Sequence, residues 1–161
     1  MKKYELTENY INFNGKKLFQ IKALISFGDV KPGDLGGYIE KESNLSHWDN
    51  AWVRGNATVC DNAVVYDNAR ICGDARIYTN KDYTCVSGFG SEYRTTTFFR
   101  LKDKDIGVKC GCFYGTLDQF RKKVKKTHND NKYAKEYLML ADLMEYHFSN
   151  NEEINAYENS N

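Results

Sequence analysis

The sequence predicts a mainly β protein with a C-terminal α+β module. Three observations support this: the middle of the 161-residue chain repeats every six residues, a hairpin signal precedes the repeat, and amphipathic helical patterns follow it. We expect a short left-handed β-helix of about two coils, capped by an N-terminal β-hairpin and followed by two strands and two helices. The predicted units are a cap at 1–44, the repeat at 45–80, a ββαα module at 81–148 and a flexible tail at 149–161.

The cap is predicted from two strand-like segments, residues 10–13 and 18–21, on either side of an Asn-Gly pair at 14–15. Asn-Gly between alternating hydrophobic residues is the strongest short-range signal for a hairpin. Pro-Gly-Asp at 32–34, together with a Gly-Gly pair at 36–37, predicts the turn that leads into the repeat.

The repeat has a small residue, a β-branched residue and a corner in each hexad. Alanine occupies every sixth position: Ala51, Ala57, Ala63, Ala69 and Ala75. A β-branched aliphatic follows each alanine by two positions: Val53, Val59, Val65, Ile71 and Ile77. Each alanine is preceded by a turn-prone pair of Asp, Asn or Gly residues, which tolerate tight corners. The pattern favours short strands joined at corners, with an ordinary β-meander as the alternative.

In a triangular prism built from such hexads, residues eighteen apart stack on one face. This places Trp52 over Arg70 and Trp48 over Tyr66, while His47 occupies an inward position where an aliphatic belongs. About two coils cannot bury their own ends, so both flanking segments must cap them. Outward Trp48, Trp52, Val64 and Tyr66 predict either a homo-oligomer interface, with a trimer favoured, or burial beneath the flanking segments.

The segment after the repeat predicts two strands, at 95–100 and 106–113, and two helices. A capping box from Thr116 to Gln119 starts the first helix at Leu117, and the second is expected over 131–148. Residues from 149 onward are rich in Asn and Glu and predict a frayed tail.

Cys110, Cys112 and His128 could be interpreted as part of a metal site. Cys-x-Cys with one distant His supplies only three ligands, whereas a structural zinc site uses four. Period-two spacing instead places Val108, Cys110 and Cys112 on one face of a strand, where cysteine behaves as a buried hydrophobe. We therefore expect no metal or other cofactor, and a Cys–His nucleophile is the least favoured interpretation.

Two groups of cations are candidate anion-binding sites. One surrounds a glycine-rich loop at 88–91, where arginines could hold phosphates and a tyrosine could stack on a base: Ser91, Tyr93, Arg94, Arg100 and Lys109. The other is the densest charge run in the chain, a candidate surface for an acidic partner: Arg121, Lys122, Lys125 and Lys126. A solvated helix face is the simpler interpretation of the second group. The chain as a whole has 23 Lys and Arg against 22 Asp and Glu, which argues against sequence-specific DNA binding.

Left-handed prisms are often acyltransferases, which require a general base and a groove between subunits. Here the repeat contains one histidine, His47, in an incomplete hexad, while His128 and His147 lie in the helical module. Two coils would make a short groove. Acyl transfer is therefore the alternative and not the leading hypothesis.

The quoted segments resemble small hexapeptide-repeat proteins encoded by bacteriophages and prophages. The resemblance lies in residues 21–24, 33–40 and 44–46, in the Asn-Ala hexads, and in the C-terminal residues 97–100, 108–113, 115–117 and 127–128. It covers nearly the whole chain except the tail, and it implies the repeat architecture and a phage origin.

This resemblance, together with the absence of an evident catalytic set, implies a non-catalytic accessory protein that counters host defence by binding. It would either sequester a nucleotide signal or occlude a host effector such as a CRISPR nuclease. No apolar run approaches the ~20 residues of a membrane span, and no signal-peptide core follows Met1. Together with five cysteines, these features predict the reducing cytoplasm of the host bacterium and no membrane partner.

Overall fold

The computed structural model describes residues 1–149, which form eleven strands in three sheets and two C-terminal helices. The strands are β1 (Tyr4–Phe13), β2 (Lys16–Ala23), β3 (Leu35–Ile39), β4 (Trp52–Val53), β5 (Thr58–Val59), β6 (Arg70–Ile71), β7 (Arg76–Ile77), β8 (Tyr83–Phe89), β9 (Arg94–Arg100), β10 (Ile106–Cys110) and β11 (Phe113–Thr116). The helices are α1 (Leu117–His128) and α2 (Lys132–Ser149). The predicted mainly β class is confirmed. The predicted tail lies outside the described residues, except for Ser149, which ends α2.

The N-terminal hairpin is present, because β1 and β2 pair in antiparallel register around the Asn-Gly turn at 14–15. The Gly-Gly pair predicted to form a turn lies instead inside β3. A Cβ on Gly36 would lie 2.5 Å from the Ile21 side chain, and one on Gly37 would lie 2.7 Å from the Ala57 carbonyl. The two glycines therefore allow β3 to approach its neighbours closely, and the sequence-based assignment to a turn was wrong.

The hexapeptide segment folds into short parallel strands that stack with the expected offset of eighteen residues. Trp52 lies opposite Arg70, and Thr58 lies opposite Arg76. The first residue of each turn-prone pair has a positive φ between 54° and 67°: Asp49, Gly55, Asp61, Asp67 and Gly73. The repeated alanines and aliphatics are fully buried. Each hexad thus contributes one corner and one inward-facing pair, and we call residues 35–79 the stacked coil.

The register changes in the first part of the stacked coil. Tyr38 lies opposite Thr58 and Leu45 opposite Val65, which are offsets of twenty residues. The return to eighteen at Trp52 leaves two extra residues between Leu45 and Trp52. Trp48 falls in this segment, so it does not take the predicted place over Tyr66.

The C-terminal module contains four strands and not the predicted two, in the order β11-β10-β9-β8. Residues 106–113 were predicted as one strand, but Gly111 adopts φ +56 and turns the chain between β10 and β11. The helices match their predictions, and the Thr116 hydroxyl accepts the Gln119 N–H at the start of α1. The capping box therefore predicted the start of α1 correctly, whereas the turn between β10 and β11 was missed.

Strand β9 separates two hydrophobic cores. Phe99 packs into the core of the stacked coil, which Tyr4 and Ile21 of the cap close at the other end. Phe98 packs with α1 and α2 in the second core. Both predicted flanking caps are therefore present, and the C-terminal cap is a strand shared with the module.

Candidate functional site

A cleft of about 470 Å³ opens where the stacked coil meets the C-terminal module. Its charged lining consists of four cations and one carboxylate: Arg54, Arg70, Arg94, Lys109 and Asp29. We call it the basic cleft. Two of its cations come from the coil and two from the module, so neither unit forms the cleft alone.

The coil holds its two arginines through a carboxylate in the loop between β2 and β3. Asp29 accepts from Arg54 at 3.2 Å and pairs with Arg70 at 3.0 Å. Partial burial would raise the pKa of Asp29, but the charges of Arg54 and Arg70 outweigh it and lower that pKa. Burial also lowers the pKa of Arg70, and Arg54 adds to that effect. A single carboxylate thus pairs with two guanidinium groups, so this group of three side chains has a net positive charge.

The module adds two cations that form no ion pair with a carboxylate among residues 1–149. Arg94 begins β9 and is exposed, and Lys109 lies in β10, where its ammonium donates to the Gly111 carbonyl. A Cβ on Gly111 would lie 2.1 Å from the Arg94 guanidinium. Glycine at this turn therefore lets Arg94 lie across it, at the edge of the basic cleft.

Trp52 lies at the floor of the basic cleft and also belongs to the core of the coil. Its side chain is 1% exposed and packs edge-on against Phe27, with ring centroids 5.2 Å apart. Of the two predictions for Trp52, an oligomer interface was wrong and burial beneath a flanking segment is confirmed, because the β2–β3 loop covers the side chain. Its indole N–H has no hydrogen-bond partner among residues 1–149.

A second cleft of about 280 Å³ lies beside the first, between the β10–β11 turn and α1. Its character is aromatic: Phe120 packs against Tyr137 at 5.6 Å, and His128 lies 6.0 Å from the Tyr137 ring. Arg94 and Cys112 line both clefts. We call it the aromatic cleft.

The predicted ligand residues are only partly brought together. Arg94 and Lys109 line the basic cleft, while Ser91 lines the aromatic cleft. Tyr93 is exposed in the β8–β9 turn and lines neither.

Arg100 also lies outside both clefts, contrary to the prediction. Its side chain pairs with Asp82 at 3.5 Å and donates to the Phe148 carbonyl, so it ties β9 to the end of α2. Distance along β9 explains this: Arg94 and Arg100 lie on the same face of the strand, but at its opposite ends.

The sequence argument missed Asp29, Arg54 and Arg70 as site residues. The eighteen-residue period already placed Arg70 beside Trp52 on one face of the coil, so a signal for that arginine existed. No local pattern marks Asp29, which reaches the cleft through a loop.

One of the four cations predicted to form a basic surface on α1, Arg121, is neutralised by ion pairs. Arg121 pairs with Asp142 and Glu145 of α2, each at 2.9 Å, and with Asp118 at 3.6 Å. Its charge is offset locally, so it is an inter-helix contact and not a free cation. The other three predicted members are exposed and form no ion pair within the described part of the chain: Lys122, Lys125 and Lys126.

The cysteines also differ from their prediction. Cys110 is half-buried, but Cys112 lies in the turn after β10 and is exposed, so the two do not share a buried strand face. The metal-ligand atoms that come within 4.8 Å of one another in residues 1–149 belong instead to Glu40, Cys60 and Asp61.

An ammonium group accounts for that acidic cluster. Lys16 pairs with the carboxylates of Glu40 and Asp61. Burial, together with the charge of Asp61, raises the pKa of Cys60 to about 12, so the thiol stays protonated at neutral pH. The cluster is therefore an ion-pair network on the coil.

His47 is fully engaged in hydrogen bonds. Its Nδ1 accepts the Lys3 N–H at 3.1 Å, its Nε2 lies 2.8 Å from a Glu42 carboxylate oxygen, and its ring stacks on Tyr4. With both nitrogens occupied, His47 has no free lone pair with which to accept a substrate proton.

Of the other predicted interface residues, Trp48 is 76% exposed and Val64 is half-buried. Tyr66 is exposed and packs edge-on against Tyr83. Trp48 and Tyr66 therefore remain available to a partner on the surface of the coil.

No known family model matches the chain, and no curated protein sequence matches it. No helix within residues 1–149 is both long enough and apolar enough to cross a membrane. The functional argument therefore starts from the geometry of the two clefts.

Proposed function

We propose that the protein is a non-enzymatic binding protein that sequesters a phosphorylated small molecule, a nucleotide signal, in the basic cleft. The observation that carries this proposal is the convergence of four cations on one cleft with a single carboxylate. Guanidinium groups bind phosphate oxygens through paired, charge-assisted hydrogen bonds. The cleft volume of about 470 Å³ falls within the range of ~300–1,000 Å³ common for small-molecule sites.

The biological setting of this proposal is a phage-encoded protein that counters host defence in the bacterial cytoplasm. It rests on the resemblance described above and on a left-handed β-helix as the architecture of the stacked coil. Left-handed corners every six residues and ladders offset by eighteen support that architecture. Exposed Trp48 and Tyr66 support a homo-oligomer, with a trimer favoured.

The first test is native mass spectrometry of protein purified from bacteria, followed by denaturation and identification of any released molecule. We expect a nucleotide at fixed stoichiometry. Calorimetry should then show that Arg94→Gln combined with Lys109→Gln weakens its binding at least tenfold, about 1.4 kcal/mol. Lys81→Gln combined with Lys102→Gln removes two exposed cations outside the clefts and should leave affinity unchanged. Equal affinity in both double variants would exclude this cleft as the site.

A second candidate function is occlusion of a host effector protein by the lysines of α1. The observation in its favour is that Lys122, Lys125 and Lys126 are exposed and free of ion pairs among residues 1–149. Changing all three to Glu should abolish the protection of infecting phage if occlusion is the function. Under sequestration, protection should survive that change and be lost in the Arg94→Gln, Lys109→Gln variant.

The acyltransferase alternative retains one structural feature, because His128 and Cys112 both line the aromatic cleft. We expect no transfer of an acetyl group from a thioester donor by the purified protein. Turnover that disappears in His128→Ala would replace the binding proposal with an enzymatic one.

A further inference from the structure

The two clefts are neighbours that share a boundary. Arg94 and Cys112 line both, and the turn at Gly111 carries that boundary between β10 and β11. Arg94 is exposed and lines both clefts, so its guanidinium group can bind a ligand on either side.

The side chains that line the two clefts differ across this boundary. The charged lining of one side consists of four cations and one carboxylate, whereas the other side has the rings of Phe113, Phe120 and Tyr137. Glu92 and Lys123, of opposite charge, also line the aromatic cleft. The aromatic cleft also has polar groups at its edge, from Ser91, Thr127 and His128.

The two clefts also differ in volume, which bears on how much of a ligand each can hold. At about 280 Å³ the aromatic cleft is slightly smaller than the ~300 Å³ at which small-molecule sites usually begin. It suits one part of a ligand better than a whole ligand. The basic cleft, at about 470 Å³, is large enough to hold several phosphate oxygens and a sugar.

We infer that the two clefts are subsites of one nucleotide site, with the phosphates in the basic cleft and the base in the aromatic cleft. This rests on the proposed function and adds to it a separate binding place for the base. A base is flat and apolar on its faces and polar at its edges, which matches rings bordered by hydroxyl and imidazole groups. Arg94 lies between the subsites, where it contacts the sugar-proximal phosphate.

The test compares pyrophosphate with ADP, GDP, CDP and UDP by calorimetry. Pyrophosphate has the anionic part alone, so at least one nucleotide should bind at least tenfold more tightly than pyrophosphate. Thr127→Trp places a large ring in the aromatic cleft, from an exposed position near the end of α1. It should remove that tenfold gain and leave pyrophosphate affinity unchanged. Asp130→Trp, three residues away and outside both clefts, is the matched control and should change neither affinity.

Ser91→Trp, at another point of the same cleft, repeats the test from a different element if Thr127→Trp does not fold. Far-ultraviolet circular dichroism decides whether each variant is folded. Lys109→Gln reports on the basic cleft separately and should weaken every probe, pyrophosphate included.

The outcomes separate this inference from the function on which it rests. Nucleotides that bind no better than pyrophosphate, or that are insensitive to Thr127→Trp, would overturn the two-subsite arrangement. Equal weakening of nucleotide and pyrophosphate by Thr127→Trp would overturn it as well. Probes that do not bind, or that ignore Lys109→Gln, would overturn the proposed function, and the inference would fail with it.

Discussion

The stacked coil and the C-terminal module build their cores by different means. The coil repeats small and β-branched side chains, and its corners recur every six residues with a positive φ. The module packs large and dissimilar side chains of two helices against one face of an antiparallel sheet. The coil is specified by a local period, whereas the module depends on contacts between residues far apart in sequence.

The two regions meet at β9 and at the clefts. Adjacent phenylalanines of β9 enter different cores, and the basic cleft takes two cations from each region. The candidate site therefore belongs to the junction. Changes that loosen the junction should affect both cores, and changes within one region should reveal how independent that region is.

The largest effect is expected from truncating the two aromatic side chains at the junction. Phe99→Ala opens a cavity in the coil core and Phe98→Ala opens one in the module core, each costing about 3–5 kcal/mol of unfolding free energy. If the regions unfold together, urea denaturation will show one transition that both variants shift.

Phe89→Ala is the control for this pair, because Phe89 is 37% exposed in β8. It should cost far less than either junction variant. Two separate transitions, each moved by only one of the junction variants, would show that the regions are independent units.

A smaller loss is expected from Gly37→Ala, which tests the close approach of β3 to the coil. The new Cβ would lie 2.7 Å from the Ala57 carbonyl and 2.8 Å from a Val53 methyl group. Crowding of this kind typically costs 1–3 kcal/mol, measured as a lower urea midpoint. Leu35→Ala, at an exposed position of the same strand, should stay within about 0.5 kcal/mol. Equal stability of Gly37→Ala and the parent protein would refute a steric requirement.

A pH effect should distinguish the cap of the coil from the rest of the molecule. Lys3 is buried, and its ammonium donates to the Ala51 carbonyl at 2.7 Å. Burial lowers the pKa of Lys3 to about 8, from 10.5. The unfolded chain thus binds more protons between these values, and stability rises with pH there. We expect a gain of about 1 kcal/mol between pH 7 and pH 9, relative to Lys3→Met.

Buried thiols make an opposing contribution to the pH dependence of stability. Subtracting the unfolding free energy of Lys3→Met from that of the parent protein at each pH removes this contribution, because both proteins contain the same thiols. Burial raises the pKa of Cys60 to about 12 and of Cys72 to about 11, from 9.0. Stability from these groups is complete below pH 9 and is lost as the pH rises toward those values. Lys2→Met changes an exposed neighbour and should keep the parent's pH dependence. An identical pH dependence in Lys3→Met would rule out Lys3 as the source.

The smallest perturbation is chemical labelling, which leaves the fold intact. Exposed Cys112 should react with iodoacetamide first, because buried Cys60 and half-buried Cys72 have raised pKa values and few thiolates near pH 8. Peptide mass spectrometry would give the order of modification. A nucleotide bound across the two clefts should slow the reaction of Cys112, whereas urea should make all three thiols react alike. Modification of Cys60 before Cys112 would contradict the burial described for the coil.

Sequence reasoning succeeded where the signal was short and repeated. It predicted the hairpin at 14–15, the eighteen-residue ladders and the start of α1 at Leu117. It failed where alternation continued through a turn, as at Gly111, and where a glycine pair suggested a turn but serves close packing in β3. Strand β8 was missed because Ser87 and Gly88 weaken its pattern.

The candidate site was harder to predict than the fold. Arg94 and Lys109 were identified from their closeness to a glycine-rich loop, and both line the basic cleft. Arg100 shares that neighbourhood but pairs with Asp82, because its place on β9 directs it to the end of α2. Closeness in sequence therefore does not decide which site a side chain reaches, because an extended strand carries residues six positions apart to different ends of the sheet.

The sequence by itself determined the elements whose cause is local: corners at Asp and Gly, inward β-branched residues, and a capped helix. The tertiary structure decided which side chains meet. Burial of Trp52 under the β2–β3 loop and the pairing of Arg54 and Arg70 with Asp29 depend on segments about twenty or more residues apart. So does the meeting of these arginines with Arg94 and Lys109. The hexad period fixes geometry within each coil, but only the packing of the loop and the module against the coil brings these charges into one cleft.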